Sequence, residues 1–301
     1  MDILTAISEY KNHLKAAAYA AATIDSYRKN LDLFSRYLAE KKITDFKKVG
    51  HQTICDYQAK VAGQPVAMET KALKIRPVKR LFEHLVATHR LLINPCDGIV
   101  ETCRTHRKIG TVLTIEEVKK LLAQPNLSLR TGIRDRAVME VFYCTGIRLA
   151  ELLSLDVHHA DLADKTIYIR KGKGNKQRVV PLGSAAIAYL KAYLKKIRPH
   201  HGRKQPRQRA LFLLNTGAAM TAGCIRQALK VYRMQAGIKK SVSPHTFRRT
   251  CATHLLRQGA DIRYIQELLG HENLKTTAVY TKVMPVEVKQ THSKTHPEIQ
   301  L

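Results

Sequence analysis

Apolar side chains in the first hundred residues recur every three or four positions, the spacing of one face of an α-helix. One such face begins near Thr23 and comprises Ile24, Tyr27, Leu31, Phe34 and Leu38. Another comprises Leu73, Leu81, Phe82, Leu85 and Val86. Pro77 lies inside the second pattern, where its ring and missing N–H should kink the helix or delay its start. With shorter helical patterns near 2–17 and 52–61, residues 1–100 are predicted to form a small helical bundle.

The next segment, residues 101–112, has basic residues, a glycine and no apolar periodicity, which is typical of a linker. A capping box then marks a helix start, because the hydroxyl of Thr114 and the carboxylate of Glu117 are spaced to accept from each other's backbone N–H groups. We therefore place a second domain at 113–301, which agrees with the usual domain size of roughly 100–200 residues.

The second domain is predicted to be mainly helical with one β-hairpin. Two β-branched segments, 166–170 and 177–181, flank the turn-prone sequence Gly-Lys-Gly-Asn at 172–175. Helical patterns are found at 131–144, 148–154, 184–197, 221–235, 245–258, 261–269 and 275–281. The fold class is thus mainly α with a small β-hairpin or sheet, an α+β domain following a helical one. The basic segment 198–209 is expected to be a loop, either in contact with a DNA backbone or simply solvated.

Charge narrows the choice of partner. The 301 residues carry 52 Lys and Arg against 24 Asp and Glu, a net charge of +28, and the stretch 165–260 holds 22 basic residues and no acid. A hydrophobic content of 45% excludes disorder as the origin of this excess. Such a field favours a polyanionic partner. Since no apolar run approaches the ~18 residues of a membrane span, we expect a cytoplasmic protein that binds nucleic acid and no membrane.

The sequence contains no pattern of residues typical of a metal or cofactor site. Six cysteines form no Cys-x-x-Cys pair and are expected to be reduced. The adjacent histidine pairs at 158–159 and 200–201 are expected to be solvated, and no cluster of carboxylates suits Mg²⁺. We therefore predict no cofactor and no metal.

Six polar residues are placed where helices begin or turns tighten. They are Arg148, Lys173, His245, Arg248, His271 and Tyr280. Together they suit attack on a phosphodiester: a tyrosine nucleophile, two guanidiniums for the nonbridging oxygens, a lysine to protonate the leaving 5′ oxygen, and histidines to exchange protons or organise the phosphate. Each residue alone would be an ordinary surface, capping or core residue, so the prediction depends on all six occurring together.

The segments around these residues resemble the tyrosine recombinase (phage integrase) family, and the bacterial Xer-like branch in layout. They read TGIRLAEL, KGKGNKQRVVPL, PHTFRRTCATHLLRQGADIRYIQELLGH and TTAVYT. The resemblance covers the whole chain, with 1–100 similar to the family's SAM-like core-binding domain and 113–301 similar to its catalytic domain. It implies that Tyr280 is the nucleophile and that the other five residues are catalytic. Glu151 matches an acidic position that supports the first arginine, whereas Arg249 departs from the histidine common at its position.

The resemblance also implies an activity and partners. We expect cleavage of double-stranded DNA through a 3′-phosphotyrosine, with two domains clamping the duplex and a homotetramer acting on two recombination sites. A second recombinase or an accessory protein is compatible with this, as is docking of the C-terminal segment onto its own or a neighbouring protomer. The alternatives are a type IB topoisomerase, a telomere resolvase, or a catalytically silent DNA-binding accessory protein on the same scaffold.

Overall fold

The computed structural model describes residues 2–100, 110–170 and 177–270. The chain divides into two compact units, Met1–Lys108 and Ile109–Leu301. The structure confirms the predicted fold class, mainly helical with a small antiparallel sheet. Among the helices of the described ranges, none is long and apolar enough to cross a membrane.

The first unit is a helical bundle around an aromatic core. Its helices are α1 (Ile3–Ala16), α2 (Ala21–Glu40), α3 (His51–Ala62) and α4 (Met68–Ala87), with a 3-10 turn at Phe46–Lys48. The buried ring of Phe82 meets those of Phe46 and Phe34 edge-on, at centroid distances of 5.4 and 6.2 Å. Such edge-to-face contacts add to the stabilisation that burial of the rings already provides.

Helix α4 differs from its sequence pattern at its beginning. It starts at Met68, well before Pro77, so the proline does not delay the helix. Leu73 was predicted to lie on the apolar face but is exposed, and Ala72 and Ile75 are buried instead. The spacing from Leu73 to Leu81 is eight residues, slightly more than two turns, which leaves Leu73 at the edge of the face.

The second unit places its helices around a three-stranded sheet, in the predicted order except for α9, which lies in a segment predicted to be a loop. Its helices are α5 (Ile115–Leu122), α6 (Arg130–Thr145), α7 (Leu149–Leu153), α8 (Ser184–Ala192), α9 (Arg198–Gly202), α10 (Ala222–Gln235), α11 (Pro244–Arg257) and α12 (Ile262–Leu269). The capping box at Thr114 and Glu117 is confirmed, with both reciprocal hydrogen bonds formed.

The hairpin is present and gains a short third strand. Strands β2 (Thr166–Ile169) and β3 (Arg178–Pro181) pair antiparallel, Ile169 opposite Arg178, and β1 (Ala160–Asp161) pairs with β2. One face of this sheet packs against the core through the buried side chains of Ile167, Ile169 and Val180. Two residues are too short a strand to give an alternating pattern, which is why β1 had no signal in the sequence.

Helices α6 and α11 hold the centre of the second unit. The rings of Phe142 and Phe247 stack with centroids 6.1 Å apart. At the far end of α11, the ring of His254 accepts from the hydroxyl of Tyr143 at 2.9 Å and donates to the carbonyl of Leu113 at 2.9 Å. Burial lowers the pKa of His254, which favours the neutral ring in which one nitrogen donates and the other accepts. Helix α11 is therefore fixed at both its core face and its end.

Candidate active site

The turn between α6 and α7 places Arg148. Helix α6 ends at Gly146, whose φ of 59° lies in the left-handed region, and a Cβ there would come within 2.7 Å of the Leu269 side chain. Arg148 then caps the start of α7, and Glu151 accepts a hydrogen bond from its backbone N–H at 2.7 Å. The turn thus needs glycine, and it presents the arginine at a helix N-terminus.

Arg248 reaches the same place from α11. That helix begins with the hydroxyl of Ser243 capping the N–H of Thr246 and with Pro244 in its first turn. The guanidinium of Arg248 is 5% exposed and donates to the carbonyls of Gly146 at 2.8 Å and Leu269 at 2.6 Å. A buried guanidinium needs such acceptors, and these two fix its orientation.

The C-terminal end of α12 is where the two arginines meet. Arg148 also donates to the carbonyl of Leu269, at 3.4 Å, and to that of Gly270, at 3.0 Å. Unpaired carbonyls at a helix C-terminus carry partial negative charge, which favours cations. The structure therefore brings Arg148 and Arg248 together around the end of the helix that leads towards His271.

His245 lies one turn before Arg248 on α11 and is exposed. Partial desolvation lowers the pKa of its imidazole, and the positive charges of Arg249, Arg248 and Arg148 lower it further. The ring is consequently neutral near pH 7 and able to accept a proton beside a cationic surface.

Glu151 is buried between arginines, with 2% of its surface exposed. Its carboxylate accepts from Arg148 Nη1 at 2.8 Å and from Arg178 Nη1 and Nη2 at 3.0 and 2.9 Å. Burial alone would raise the pKa of Glu151, but these hydrogen bonds outweigh it and lower the pKa to about 2. The expected supporting contact to Arg148 is present.

Sequence reasoning missed Arg178. It occupies the first position of β3, two residues before the buried Val180, so it belongs to the face of the strand that points into the core. Alternation along a strand has a period of two, and an arginine on the buried face demands a carboxylate partner. That signal was available in the sequence, although it does not reveal that the partner is Glu151.

The remaining predicted residues, Lys173, His271 and Tyr280, lie outside the described residues, as do most of the linker and the helical pattern at 275–281. Their catalytic roles therefore stay predictions.

The basic segment after α8 is not the open loop that was expected throughout. A wide turn of π-helix, Tyr193–Ile197, leads directly into α9, so residues 198–202 are helical. The guanidinium of Arg198 donates to the carbonyls of Gln208, Ala210 and Leu211, which fixes the loop that follows. That loop exposes four cations, Arg203, Lys204, Arg207 and Arg209.

Metal-ligating groups are scarce in the described part of the chain. No group of three His, Cys, Asp or Glu side chains there could hold a metal ion. The expectation that both histidine pairs are solvated is wrong for His201, which is 3% exposed, because α9 turns it into the core instead of leaving it in a loop. The five described cysteines are free, and Cys96 and Cys251 are buried.

Comparison with protein families gives two matches that together span most of the chain. Residues 111–286 match the phage integrase family, and residues 7–89 match the phage integrase N-terminal SAM-like domain. Among curated proteins, the chain is 34% identical to tyrosine recombinase XerD of Staphylococcus epidermidis over 294 residues, 97% of this chain and 99% of that protein. It is 37% identical to tyrosine recombinase XerC of Natranaerobius thermophilus over 280 residues, 91% and 92% of the two chains.

Solved structures share the fold at lower identity. The chain superposes with a TM-score of 0.75 on the XerH site-specific recombinase in a post-cleavage complex with its palindromic difH substrate, at 24% identity over 93% of this chain and 81% of that one. A lambda integrase dimer bound to a COC′ core site gives a TM-score of 0.72 at 16% identity, covering 93% and 95% of the two chains. These similarities establish the architecture.

Proposed function

Because the chain belongs to the phage integrase family of tyrosine recombinases, whose members exchange DNA strands, we propose that it is a site-specific recombinase that cleaves and rejoins duplex DNA through a 3′-phosphotyrosine. The proposal includes a tetramer acting on two sites, since exchange between two duplexes takes four cleavages. It also includes the two units gripping the duplex from opposite sides, with residues 101–112 between them.

One observation carries the proposal. Arg148 at the start of α7 and Arg248 in α11 donate to the same carbonyl of Leu269, and both lie close enough to His245 to lower its pKa. Two guanidiniums in one place match the nonbridging oxygens of a phosphodiester, and charge-assisted bonds to developing negative charge are among the largest catalytic contributions.

The proposed reaction proceeds in two transfers. The phenolic oxygen of Tyr280 attacks the scissile phosphorus, the bond from phosphorus to the 5′ oxygen breaks, and Lys173 gives that oxygen a proton. A neutral histidine such as His245 accepts the proton of the tyrosine or organises the phosphate. A 5′ hydroxyl from the other duplex then attacks the phosphotyrosine and releases Tyr280. Bond energy is preserved, so religation needs no ATP.

The test is a covalent-adduct assay with the full-length chain. The substrate is a nicked duplex that carries the site selected from a random-sequence library by binding to this protein, and denaturing electrophoresis detects protein attached to DNA. We expect adducts from the wild type and none from Tyr280→Phe. Tyr264→Phe is the matched control, since Tyr264 is an exposed tyrosine of α12 and should leave the yield unchanged.

The same assay separates the alternatives. Adducts from Tyr280→Phe would refute the nucleophile assignment. Relaxation of supercoiled DNA by monomers, on DNA that lacks a recombination site, would favour a type IB topoisomerase. Formation of hairpin ends on a cleaved duplex would favour a telomere resolvase. Specific binding without adducts from the wild type would favour a catalytically silent accessory protein.

DNA binding should depend strongly on salt, because the acid-free stretch 165–260 supplies the contacts to phosphates. We propose that the exposed cations at 203–209, held in place by Arg198, belong to that surface. Neutralising all four should reduce the log–log salt slope by up to about 0.9 per lost phosphate contact. Neutralising Lys119 and Lys120 on α5, in a segment without excess positive charge, is the control.

A further inference from the structure

Arg178 makes more contacts within the candidate site than its place in a hairpin strand requires. Its side chain is 12% exposed, and both Nη groups donate to the two carboxylate oxygens of Glu151. Its Nε donates to the carbonyl of Leu268 at 2.9 Å. This bidentate arrangement fixes both the distance and the plane of the carboxylate.

Glu151 passes that constraint to Arg148. Its carboxylate holds the backbone N–H of Arg148 through Oε2 and the guanidinium through Oε1, while Arg178 occupies the other side of both oxygens. A buried carboxylate with one arginine removed has fewer donors and a raised pKa, and it can turn away from its remaining partner. Through Glu151, Arg178 therefore constrains the guanidinium of Arg148, which the carbonyls of Leu269 and Gly270 hold from the other side.

Arg178 also acts on α12. Three successive carbonyls at its end accept from arginines. The carbonyl of Leu268 accepts from Arg178, that of Leu269 accepts from both Arg248 and Arg148, and that of Gly270 accepts from Arg148. Gly270 has a φ of 63°, and a Cβ added there would lie 3.0 Å from Arg178 Nη1, so the guanidinium packs directly against the residue that ends the helix. One buried side chain of β3 thus contacts both the acid that supports Arg148 and the end of α12.

We propose that Arg178 is a positioning residue for the cleavage reaction: it holds the carboxylate of Glu151 in place, and so keeps the guanidinium of Arg148 directed at the scissile phosphate. The proposal rests on the proposed function, since it concerns the same phosphate. It adds a residue of the hairpin strand, distinct from Lys173 in the turn, that acts without touching the DNA.

The first test compares rate with affinity. With the selected nicked duplex at saturating concentration, R178Q should form the covalent adduct on the order of 10²-fold more slowly, because misdirecting one phosphate ligand costs that much. Its affinity for the uncleaved duplex should change less than twofold. R178K keeps the charge but cannot bridge both oxygens, so it should restore part of the rate.

The pH profile adds a readout that simple loss of stability would not change. In the wild type the low pKa of Glu151 keeps the carboxylate ionised throughout the working range. In R178Q the pKa of Glu151 should rise, so adduct formation should fall steeply as the pH is lowered from 7 to 5. R178K should show a weaker fall.

R136Q is the matched control. Arg136 is another partly buried arginine of this unit, 18% exposed, that pairs with the buried Glu140 at 2.8 Å on α6 and makes no contact to Glu151, Arg148 or α12 among the described residues. Its loss should lower the melting temperature as much as R178Q does. It should leave the rate per folded molecule and the pH profile unchanged.

A second measurement needs no DNA. Arginine-labelled protein, with the Arg148 resonance assigned by R148K, reports on rotation of the guanidinium by NMR. Arg148 should show restricted rotation in the wild type and R136Q and averaged Nη signals in R178Q. Unchanged Arg148 signals in R178Q, or equal rates and profiles for R178Q and R136Q, would overturn the positioning role. Absence of adducts from the wild type would count against the proposed function instead, while the NMR result would still decide the role of Arg178.

Discussion

Two buried clusters of arginine and carboxylate in the second unit make an instructive contrast. In the Glu151 cluster, formed by Glu151, Arg148 and Arg178, the arginines also reach the carbonyls at the end of α12. Arg148 stays 22% exposed. The cluster therefore joins three segments of the chain and keeps one guanidinium within reach of solvent.

The Asp135 cluster is closed. It consists of Asp135, Arg134 and Tyr232: Arg134 pairs with Asp135 at 2.8 Å, the Tyr232 hydroxyl donates to the other carboxylate oxygen at 2.8 Å, and both charged side chains are 9% exposed. The remaining bond of Arg134 goes to the carbonyl of Leu213. Burial of charge is common to both clusters, so burial alone does not mark a functional site. The Glu151 cluster differs because one of its arginines, Arg148, stays partly exposed.

Glu151→Gln should have the largest effect. The amide nitrogen of glutamine would face the N–H donors of Arg148 and Arg178, leaving buried guanidiniums unpaired, which costs about 3–5 kcal/mol of unfolding free energy. Adduct formation per folded molecule should fall at least as far as in R178Q. Urea unfolding measures the loss of stability, and the adduct assay measures the loss of rate. An adduct rate near that of the wild type would contradict the distinction between the two clusters.

Asp135→Asn should separate stability from chemistry. It removes the charge that pairs with Arg134 and should cost about 3 kcal/mol in urea unfolding. Because Asp135 has no contact with the α12 carbonyls among the described residues, the adduct rate per folded molecule should stay within twofold of wild type. A rate loss as large as that of Glu151→Gln would show that any buried ion pair of this unit affects the site, which would remove the contrast.

Much of the fold and part of the candidate site could be predicted from the sequence, and the features that could not be predicted have physical reasons. The helices follow from apolar spacing, the hairpin from β-branched segments around glycines, and the domain start from Thr114 and Glu117. The contact through which Arg148 and Arg248 meet could not be predicted, because their common acceptor is a backbone carbonyl, Leu269, which leaves no side-chain signature. Likewise, the burial of His201 depends on the π-helical turn Tyr193–Ile197 continuing directly into α9, where a proline and basic residues indicated a loop.

The loss of stability at acid pH should reveal the ionised carboxylate of the Glu151 cluster directly. The pKa of Glu151 is lowered from its ordinary value of 4.5 to about 2 on folding, so the resulting stability is present above pH 4.5 and is lost as the pH falls from there towards 2. Between pH 5 and pH 3 this group should account for about 2 kcal/mol of the lost unfolding free energy. Urea unfolding of the wild type and of Glu151→Gln at the two pH values measures this loss, which should be smaller in the variant by that amount. An equal loss in the two proteins would contradict an ionised, arginine-bound Glu151.

Tyr232→Phe should have the smallest effect, and its size tests whether the Asp135 cluster is closed. Removing the hydroxyl deletes one hydrogen bond to a carboxylate that keeps its arginine, so about 1 kcal/mol of unfolding free energy should be lost, with no change in adduct formation. Burial and the neighbouring carboxylate raise the pKa of Tyr232, so the hydroxyl stays protonated and the loss should be the same at pH 6 and pH 9. If the hydroxyl were instead part of a route to the DNA surface, the variant would alter the salt dependence of DNA binding while leaving stability intact. The Asp135 cluster would then resemble the Glu151 cluster in function as well as in composition.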